Sequence, residues 1–492
     1  MSDKVAARIL DAAIRSLRLE ILPQLPDDAA RIRLDQITRL LKSVSARLSL
    51  RETGLRELLG SAASQAGLAS VSGVADVLSL HDMEQHRRRV EQSISERLPD
   101  LIDAAGKSSD GVRALARVVQ LEKNFFLSQD ADIAAGSQVV YRGGRIESEG
   151  ETTRAGSAPP LNAATLTIYL QRRLQRKDVQ AVNVRIIPGG FSKLTMFFTL
   201  VDEAAATSAD LVIRKDMPLP FIENTVVNEF GLLQKLHGLG FPIAKPMWLE
   251  TDRAVFGGCF IVSERVAGTS DSSTWAADPV RARAACRALA QVLARLHACT
   301  PQQLGYAPDV AALSAGQLME REIARWSRLF HAKKTEPLPL QEIPIVWLAQ
   351  NIPQQLYARP ARIVHGDVGF HNLMFDETGR VTALLDWEFS ILGDTTQDLC
   401  FVRMFVEALM PWSEFLELYL AFGGVPPCQQ AEFFFALWSK TRNGIGCVDA
   451  QFLFDTAMPD EVKFALAGHV FGPYMYIDQC ETLVAHLKNA QL

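Results

Sequence analysis

Three polar residues at the ends of short apolar runs, Asp367, Asn372 and Asp386, have the chemical types that are needed to handle a phosphate group. Short apolar runs bounded by Gly and Asp are typical of buried strands with polar ends, so we expect these residues to converge. In phosphoryl transfer, one carboxylate orients the attacking hydroxyl and accepts its proton, while an amide oxygen and a second carboxylate hold magnesium ions. The set predicts Asp367 as the catalytic base and Asn372 and Asp386 as ligands of Mg²⁺. The alternative is that both aspartates are ordinary turn residues that close strands.

The spacing of the set supports the prediction, because the first aspartate and the asparagine are as far apart as the base and the metal-binding Asn of the kinase pattern H-R-D-x-x-x-x-N. Residues 365–372 (HGDVGFHN), 385–388 (LDWE) and 392–399 (LGDTTQDL) resemble the aminoglycoside phosphotransferase/choline kinase superfamily. The most similar branch includes the kinase domains attached to, or encoded beside, acyl-CoA dehydrogenases. The resemblance covers roughly residues 160–490. Gly366 replaces the Arg of protein kinases, which argues against a protein kinase.

The resemblance implies an α+β protein with a bilobal, protein-kinase-like fold, an antiparallel small lobe and a mostly helical large lobe. It also implies ATP and Mg²⁺ as cofactors. We predict an all-α helical bundle over residues 1–127 and a Gly- and Ser-rich linker over 128–160. The small lobe would then span residues 161–268 and the large lobe 269–492, with the active site between the two lobes.

A Gly-rich turn between two predicted strands is expected to cover the phosphates of the nucleotide. Gly189 and Gly190 let the backbone approach an anion, and Ser192 can point at it. A plain hairpin turn explains the two glycines equally well. Members of the superfamily carry a similar G-G-x-S-N-x-T here, and Lys193 stands in the position of the Asn.

The next predicted strand ends on two cations, Arg214 and Lys215, of which only one can face the nucleotide because side chains alternate along a strand. The family pattern indicates Arg214, with Lys215 as the alternative. The following helix offers Glu229 as the ion-pair partner of this cation; the alternative is an exposed Glu without a partner. The resemblance places the adenine edge on the backbone around Glu264 to Val266.

Residues around the predicted base are expected to support it or to contact the acceptor. His365 and Asp398 are supporting residues, and Asp398 braces the catalytic loop without touching substrate. Val368, Phe370 and His371 should form the wall of the acceptor site with the helices after residue 400, because the base must reach the attacking oxygen. This apolar wall favours a hydroxyacyl-CoA or another apolar alcohol as the acceptor. An aminoglycoside-type antibiotic kinase and a nucleotide-binding pseudokinase scaffold are the alternatives.

The composition gives further expectations about partners and location. A net charge of −5 over 492 residues gives no reason to expect nucleic acid or an anionic membrane as a partner. Seven cysteines without a C-x-x-C pattern, and no signal peptide, predict a cytoplasmic protein. The histidines form no zinc pattern, and a metal site at His365, Asp367 and His371 is the weaker hypothesis for this stretch. The helical segment 1–127 is the expected place for homo-oligomer formation or protein docking.

Overall fold

The computed structural model describes residues 80–129, 158–187, 192–217, 219, 221–458 and 462–491, together with scattered helical positions between residues 10 and 44. The helices are α1 (Leu80–Lys107), α2 (Ser109–Gln129), α3 (Ala163–Leu174), α4 (Val226–Gly238), α5 (Pro279–Ala298), α6 (Pro308–Ala311), α7 (Ala315–Lys333), α8 (Pro339–Gln350), α9 (Thr396–Glu407), α10 (Trp412–Ala421), α11 (Glu432–Thr456), α12 (Val462–Ala465) and α13 (Gly472–Asn489). The strands are β1 (Val179–Ile187), β2 (Lys193–Asp202), β3 (Thr207–Asp216), β4 (Pro246–Glu250), β5 (Phe260–Glu264), β6 (Arg362–Val364), β7 (Leu373–Phe375), β8 (Val381–Leu384) and β9 (Ile391–Gly393).

The small lobe is built on an antiparallel sheet of five strands in the order β1-β2-β3-β5-β4. One face of this sheet is apolar because alternate residues of each strand point to the same side, as with the buried Met196 and Ile213, which pair across β2 and β3. Helix α3 packs on this face and begins with a capping box, in which Asn162 and Thr165 bond each other's backbone N–H groups. Tyr169 of α3 contacts the rings of Phe256 and Phe260 edge-on at 5.6 and 5.4 Å.

The large lobe surrounds two short antiparallel strand pairs, β6 with β9 and β7 with β8. Helix α5 begins at Pro279, where Asp278 accepts hydrogen bonds from the first backbone N–H groups, and it buries one face against β6, β8 and α10. The strands are only three or four residues long, so each ends within a few residues of a turn that carries polar groups. The predicted fold class, α+β with an antiparallel small lobe and a helical large lobe, is confirmed by this architecture.

The chain divides into two compact units. One consists of residues 145–321 and 352–436 and contains the five-stranded sheet and both short strand pairs. The other unit consists of residues 1–144, 322–351 and 437–492. In it, α1 and α2 pack along each other, α8 packs on α1, and α13 packs on α2. Arg87 of α1 is buried there and pairs with Glu91 and Glu336.

This grouping differs from the sequence-based boundaries, which assigned residues 322–351 and 437–492 to the large lobe. The physical reason is that α8 and α13 are buried over most of their surface, so they need apolar partners on more than one side. The division into separately folding domains stays a prediction. Most of the expected helices before residue 72 and most of the expected linker lie outside the described residues, and so do Gly189 and Gly190. In the part of the chain that is described, no helix has the length and apolar character needed to cross a membrane.

Candidate active site

The predicted base and one predicted metal ligand lie in the same loop, directly after β6. Gly366 has a φ of 82°, a left-handed conformation that suits glycine, and the chain turns there into Asp367. Asn372 ends a single 3₁₀ turn, and its Nδ2 donates to the backbone oxygen of Asp367 at 2.8 Å and to Oδ2 of Asp367 at 3.1 Å. The two side chains therefore fix each other, and Oδ1 is the atom of Asn372 that is left for a metal ion.

A buried carboxylate braces the loop from behind. Asp398, in the first turn of α9, accepts the backbone N–H of His365 and that of Gly366, each at 2.8 Å. It also accepts a hydrogen bond from Nε2 of His297 at 3.1 Å, and Nδ1 of His297 lies 2.9 Å from the hydroxyl of Tyr419. Burial alone would raise the pKa of Asp398, but its hydrogen bonds with His297 and with the backbone N–H of His365 hold that pKa below its usual range. The carboxylate of Asp398 thus accepts from three donors, and its expected role of holding the catalytic loop without touching substrate stays a prediction.

His365 connects the catalytic loop to the end of β8. Its Nε2 donates to the backbone oxygen of Leu385 at 2.9 Å, and its Nδ1 accepts the N–H of Asp367 at 3.3 Å. Burial lowers the pKa of His365, which fits this pair of roles because only the neutral imidazole donates at one nitrogen and accepts at the other. Both ring nitrogens of His365 are thus engaged within the protein, and its supporting role stays a prediction.

The second predicted metal ligand, Asp386, follows Leu385, and the backbone of Leu385 is bonded to that of Asn372. The N–H of Leu385 donates to the backbone oxygen of Asn372 at 2.8 Å. Asp386 has a φ of 65°, and its side chain accepts a hydrogen bond from Nη2 of Arg214 at 2.7 Å. Both side chains are partly open to solvent, at 35% and 27% exposure. Loss of hydration would raise the pKa of Asp386. The charge of the Arg214 guanidinium and its hydrogen bond have the larger effect and lower that pKa.

The two cations at the end of β3 lie on opposite faces of the strand, as the alternation predicted. Arg214 reaches Asp386, whereas Lys215 is buried on the other side and donates to the backbone oxygen of Phe256 at 2.9 Å. The geometry therefore favours Arg214 as the cation of this strand that faces the candidate site.

Glu229 of α4 is buried, but its nearest cation is not the expected one. Among the described residues no ion pair joins it to Arg214; instead Nζ of Lys193 lies 3.9 Å from Oε1 of Glu229. The same Nζ is 3.2 Å from Oδ1 of Asp216. Burial raises the pKa of Glu229, and the charges of Arg214 and Lys193 offset only part of that effect. Lys193 and Asp216 were missed as members of this cluster, although both stand at strand ends that meet in the β2–β3 register.

Ser192 does not point into an open site in this structure. Its hydroxyl donates to the carboxylate of Glu388, and Nδ2 of Asn224 donates to the backbone oxygen of Glu388. Burial and the neighbouring Asp386 raise the pKa of Glu388 to about 8. One signal for Glu388 is present in the sequence, namely its place two residues after Asp386 in the stretch LDWE.

The expected adenine-binding segment leaves the small lobe at the end of β5. Glu264 donates its N–H to the backbone oxygen of Lys245 at 3.0 Å, and its carboxylate lies 3.1 Å from Nζ of the same lysine. Thr269 then exchanges two backbone hydrogen bonds of 2.9 Å with Phe375 of β7. Between them, and within the described residues, the backbone of Val266 has no hydrogen-bond partner. Nucleotide binding by Glu264 and Val266 stays a prediction.

The predicted acceptor wall needs correction at two of its three residues. Val368 and Phe370 are 0% and 6% exposed, and Phe370 packs against Trp275 with ring centroids 5.0 Å apart, so both belong to the core of the large lobe. The turn at residues 370–372 directs the side chain of Phe370 inward. His371 is exposed, with Nε2 3.8 Å from Oδ2 of Asp367 and its ring 5.7 Å from that of Phe405. Of the three residues, only His371 is exposed to solvent next to Asp367, on the side that we call the open side of the base.

All of these residues lie within a stretch that matches a known family. Residues 183–430, half of the chain, match the model of the phosphotransferase enzyme family. The chain belongs to this family. The predicted enzyme class is therefore confirmed as far as a phosphotransferase, as is the resemblance to this family.

Relatives of this phosphotransferase include acyl-CoA dehydrogenase family member 10 of Mus musculus, 26% identical over 293 residues, and family member 11 of Homo sapiens, 29% identical over 202 residues. These matches cover 54% and 39% of the phosphotransferase, but 26% and 25% of the relatives, so the chain spans about a quarter of their length. Among solved structures, a putative aminoglycoside phosphotransferase from Ralstonia eutropha is similar, with a TM-score of 0.48 and 23% identity, over 65% of this chain and 98% of that one.

Proposed function

We propose that this phosphotransferase moves the γ-phosphoryl group of ATP, in the presence of Mg²⁺, to a hydroxyl of a small apolar alcohol such as a hydroxyacyl-CoA. The observation that carries the proposal is the contact of Asn372 with Asp367 in a loop that is adjacent to the Arg214–Asp386 pair. Together these groups supply a base, two oxygen ligands and a cation, which are the parts that phosphoryl transfer requires.

The oxygen atoms of Asn372 and Asp386 suit Mg²⁺, which binds carboxylate and amide oxygens and keeps several of its waters. Nδ2 of Asn372 is engaged with Asp367, so its Oδ1 would be the ligand atom, and Asp386 would contribute its carboxylate. The ion, when bound, would neutralise negative charge on the phosphates. Arg214 has the position from which a guanidinium can bind phosphate oxygens as well as Asp386.

Asp367 would orient the acceptor hydroxyl and take its proton. Its side chain is a quarter exposed and is held by Asn372, so one oxygen is fixed and the carboxylate remains accessible from the open side. Asp398 holds the backbone of the two preceding residues, which keeps the base in one position relative to β6. Positioning of this kind supplies a large part of the rate in phosphoryl transfer.

The surface beside the base supports an apolar acceptor. His371, Phe405 and Phe401 form a row of rings with centroids 5.7 and 6.0 Å apart, and Met404 on the same helix is 67% exposed. An acyl chain or alicyclic skeleton would gain about 25 cal/mol for each Å² of apolar area that it buries there. The names of the relatives, which are acyl-CoA dehydrogenases, point to the same class of acceptor.

The carboxylates near this row are poorly placed for a polycationic sugar. Glu407 and Glu432 lie 2.7 and 3.7 Å from the guanidinium of Arg403, so the three side chains together carry one net negative charge. The several ammonium groups of an aminoglycoside would share that single negative charge, and each group that lost water without a counter-charge would cost several kcal/mol.

The test is ATP turnover with Mg²⁺ on a panel of hydroxyacyl thioesters, simple alcohols and aminoglycosides, with mass spectrometry to detect the phosphorylated acceptor. Asp367→Asn and Asp386→Ala are expected to abolish turnover while the protein stays folded. The control Asp309→Asn makes the same chemical change at an exposed aspartate and should leave the rate unchanged. Near-normal turnover by Asp386→Ala would remove it from the metal site. Efficient phosphorylation of aminoglycosides, with none of thioesters or alcohols, would refute the acceptor class alone.

A further inference from the structure

Lys193, a buried residue at the start of β2, lies near two carboxylates and has no role in the proposed reaction. Lys193 is 4% exposed, and its Nζ donates to the backbone oxygen of Asn224 at 2.8 Å. It lies 3.2 Å from Oδ1 of Asp216 and 3.9 Å from Oε1 of Glu229. Oδ1 of Asp216 also accepts the N–H of Val226, the first residue of α4, at 3.0 Å. Lys193 thus connects β2, the end of β3 and the helix that carries Glu229.

The charges in this cluster are unequal. One lysine faces two buried carboxylates, and burial of a carboxylate is costly unless it is paired. Arg214 is the other cation whose charge acts on Glu229, yet its guanidinium bonds Asp386. If Lys193 lost its charge, Arg214 would be the remaining cation known to act on Glu229, and it would be drawn away from Asp386.

We infer that Lys193 is a positioning residue that neutralises Glu229 and thereby leaves Arg214 available for the phosphates and Asp386. In protein kinases the strand cation itself pairs with the helix acid. Here two side chains take these roles. Lys193 is the cation next to Glu229, and Arg214 pairs with Asp386 in the candidate site. The expected effect of Lys193 on ATP binding rests on the proposed function.

The test is a double-mutant cycle that measures the KM for ATP, kcat and the unfolding midpoint. Lys193→Met should raise the KM for ATP about tenfold, because coupling between paired buried charges is typically large enough for such a change. Adding Glu229→Gln should restore most of this loss, since it removes the carboxylate that would otherwise attract Arg214. Lys193→Arg, which keeps the charge, should stay within about threefold of the wild type.

Lys215→Met is the matched control, because Lys215 is equally buried but lies on the opposite face of β3. Glu229→Gln should not rescue it. An unchanged KM in Lys193→Met, or an equal response of both lysine variants to Glu229→Gln, would overturn the inference. If Lys193→Met does not fold, restored folding in Lys193→Met/Glu229→Gln supports the pairing, and a double variant that also fails to fold contradicts it.

Failure of the proposed function gives a different result. If the wild type neither binds nor turns over ATP with Mg²⁺, the functional proposal is wrong, whereas the cycle on the unfolding midpoint still decides whether Lys193 and Glu229 are coupled. Additive effects on that midpoint would show that Lys193 does not hold Glu229.

Discussion

Replacing Asp398 with Asn would test how the catalytic loop is held. The carboxylate receives three hydrogen bonds, two on Oδ2 from the N–H of His365 and from His297, and one on Oδ1 from the N–H of Gly366. An Asn side chain has one acceptor oxygen and one NH₂ group. In either orientation, at least one buried donor of the loop or of His297 would face the NH₂ group and lose its partner.

The cost of Asp398→Asn can be estimated from these contacts. A hydrogen bond to a charged group contributes about 1.5–3 kcal/mol, and a buried donor without a partner costs about 1–3 kcal/mol. Because the remaining oxygen keeps part of the set, we expect the free energy of unfolding to fall by about 2–4 kcal/mol at pH 7. We expect kcat to fall by about tenfold or more through misplacement of Asp367, with little change in the KM for ATP.

The pH dependence has a defined sign. The pKa of Asp398 is lower in the folded protein than its usual value of 3.8, so the folded state binds this proton more weakly than the unfolded chain does. The stabilisation is therefore complete above about pH 4 and is lost as the pH falls through the folded-state pKa. The difference in stability between wild type and Asp398→Asn should shrink below pH 4.

The measurement is urea unfolding followed by circular dichroism at several pH values, together with steady-state kinetics. His297→Leu is the control, because it removes one donor and leaves both backbone N–H groups bonded to Asp398, so it should cost less. If Asp398→Asn has wild-type stability and kcat, the three contacts do not hold the loop. A stability difference that stays constant down to the lowest pH would refute the assigned charge state.

Two further predictions concern the small lobe and the segment after Asp386. Gly258→Ala should reduce the free energy of unfolding by about 1–3 kcal/mol, because a Cβ there would lie 2.4 Å from the backbone oxygen of Asp216, whereas Gly231→Ala, on the open face of α4, should be neutral or stabilising in the same urea titration. Equal effects of the two changes would contradict the packing around β3. Glu388 has a pKa raised from 4.5 to about 8, so the stability that its protonation contributes is complete below pH 4.5 and is lost as the pH rises to 8. Glu388→Gln should therefore match the wild type near pH 4.5 and be more stable than it above pH 8; identical pH profiles would contradict this.

The sequence by itself determined which polar residues meet in the loop after β6 and which of two neighbouring cations lies on the side of Asp386. Asp367 and Asn372 are five residues apart and joined by one turn, so local backbone geometry is enough to bring them together. Arg214 and Lys215 were separated by strand alternation, which is a property of every extended backbone. Asp386 was found in the same way, as the polar end of a short apolar strand.

Only the tertiary structure decided which distant side chains pair and which apolar ones face the open side of the base. Lys193, rather than Arg214, is the nearest cation to Glu229, because the β2–β3 register and the start of α4 place their ends together. Val368 and Phe370 share the apolar character of an acceptor wall but fill the core instead. Spacing along the chain fixes contacts within a turn or a strand, whereas charge pairing and burial depend on how separate elements pack, which local pattern does not encode.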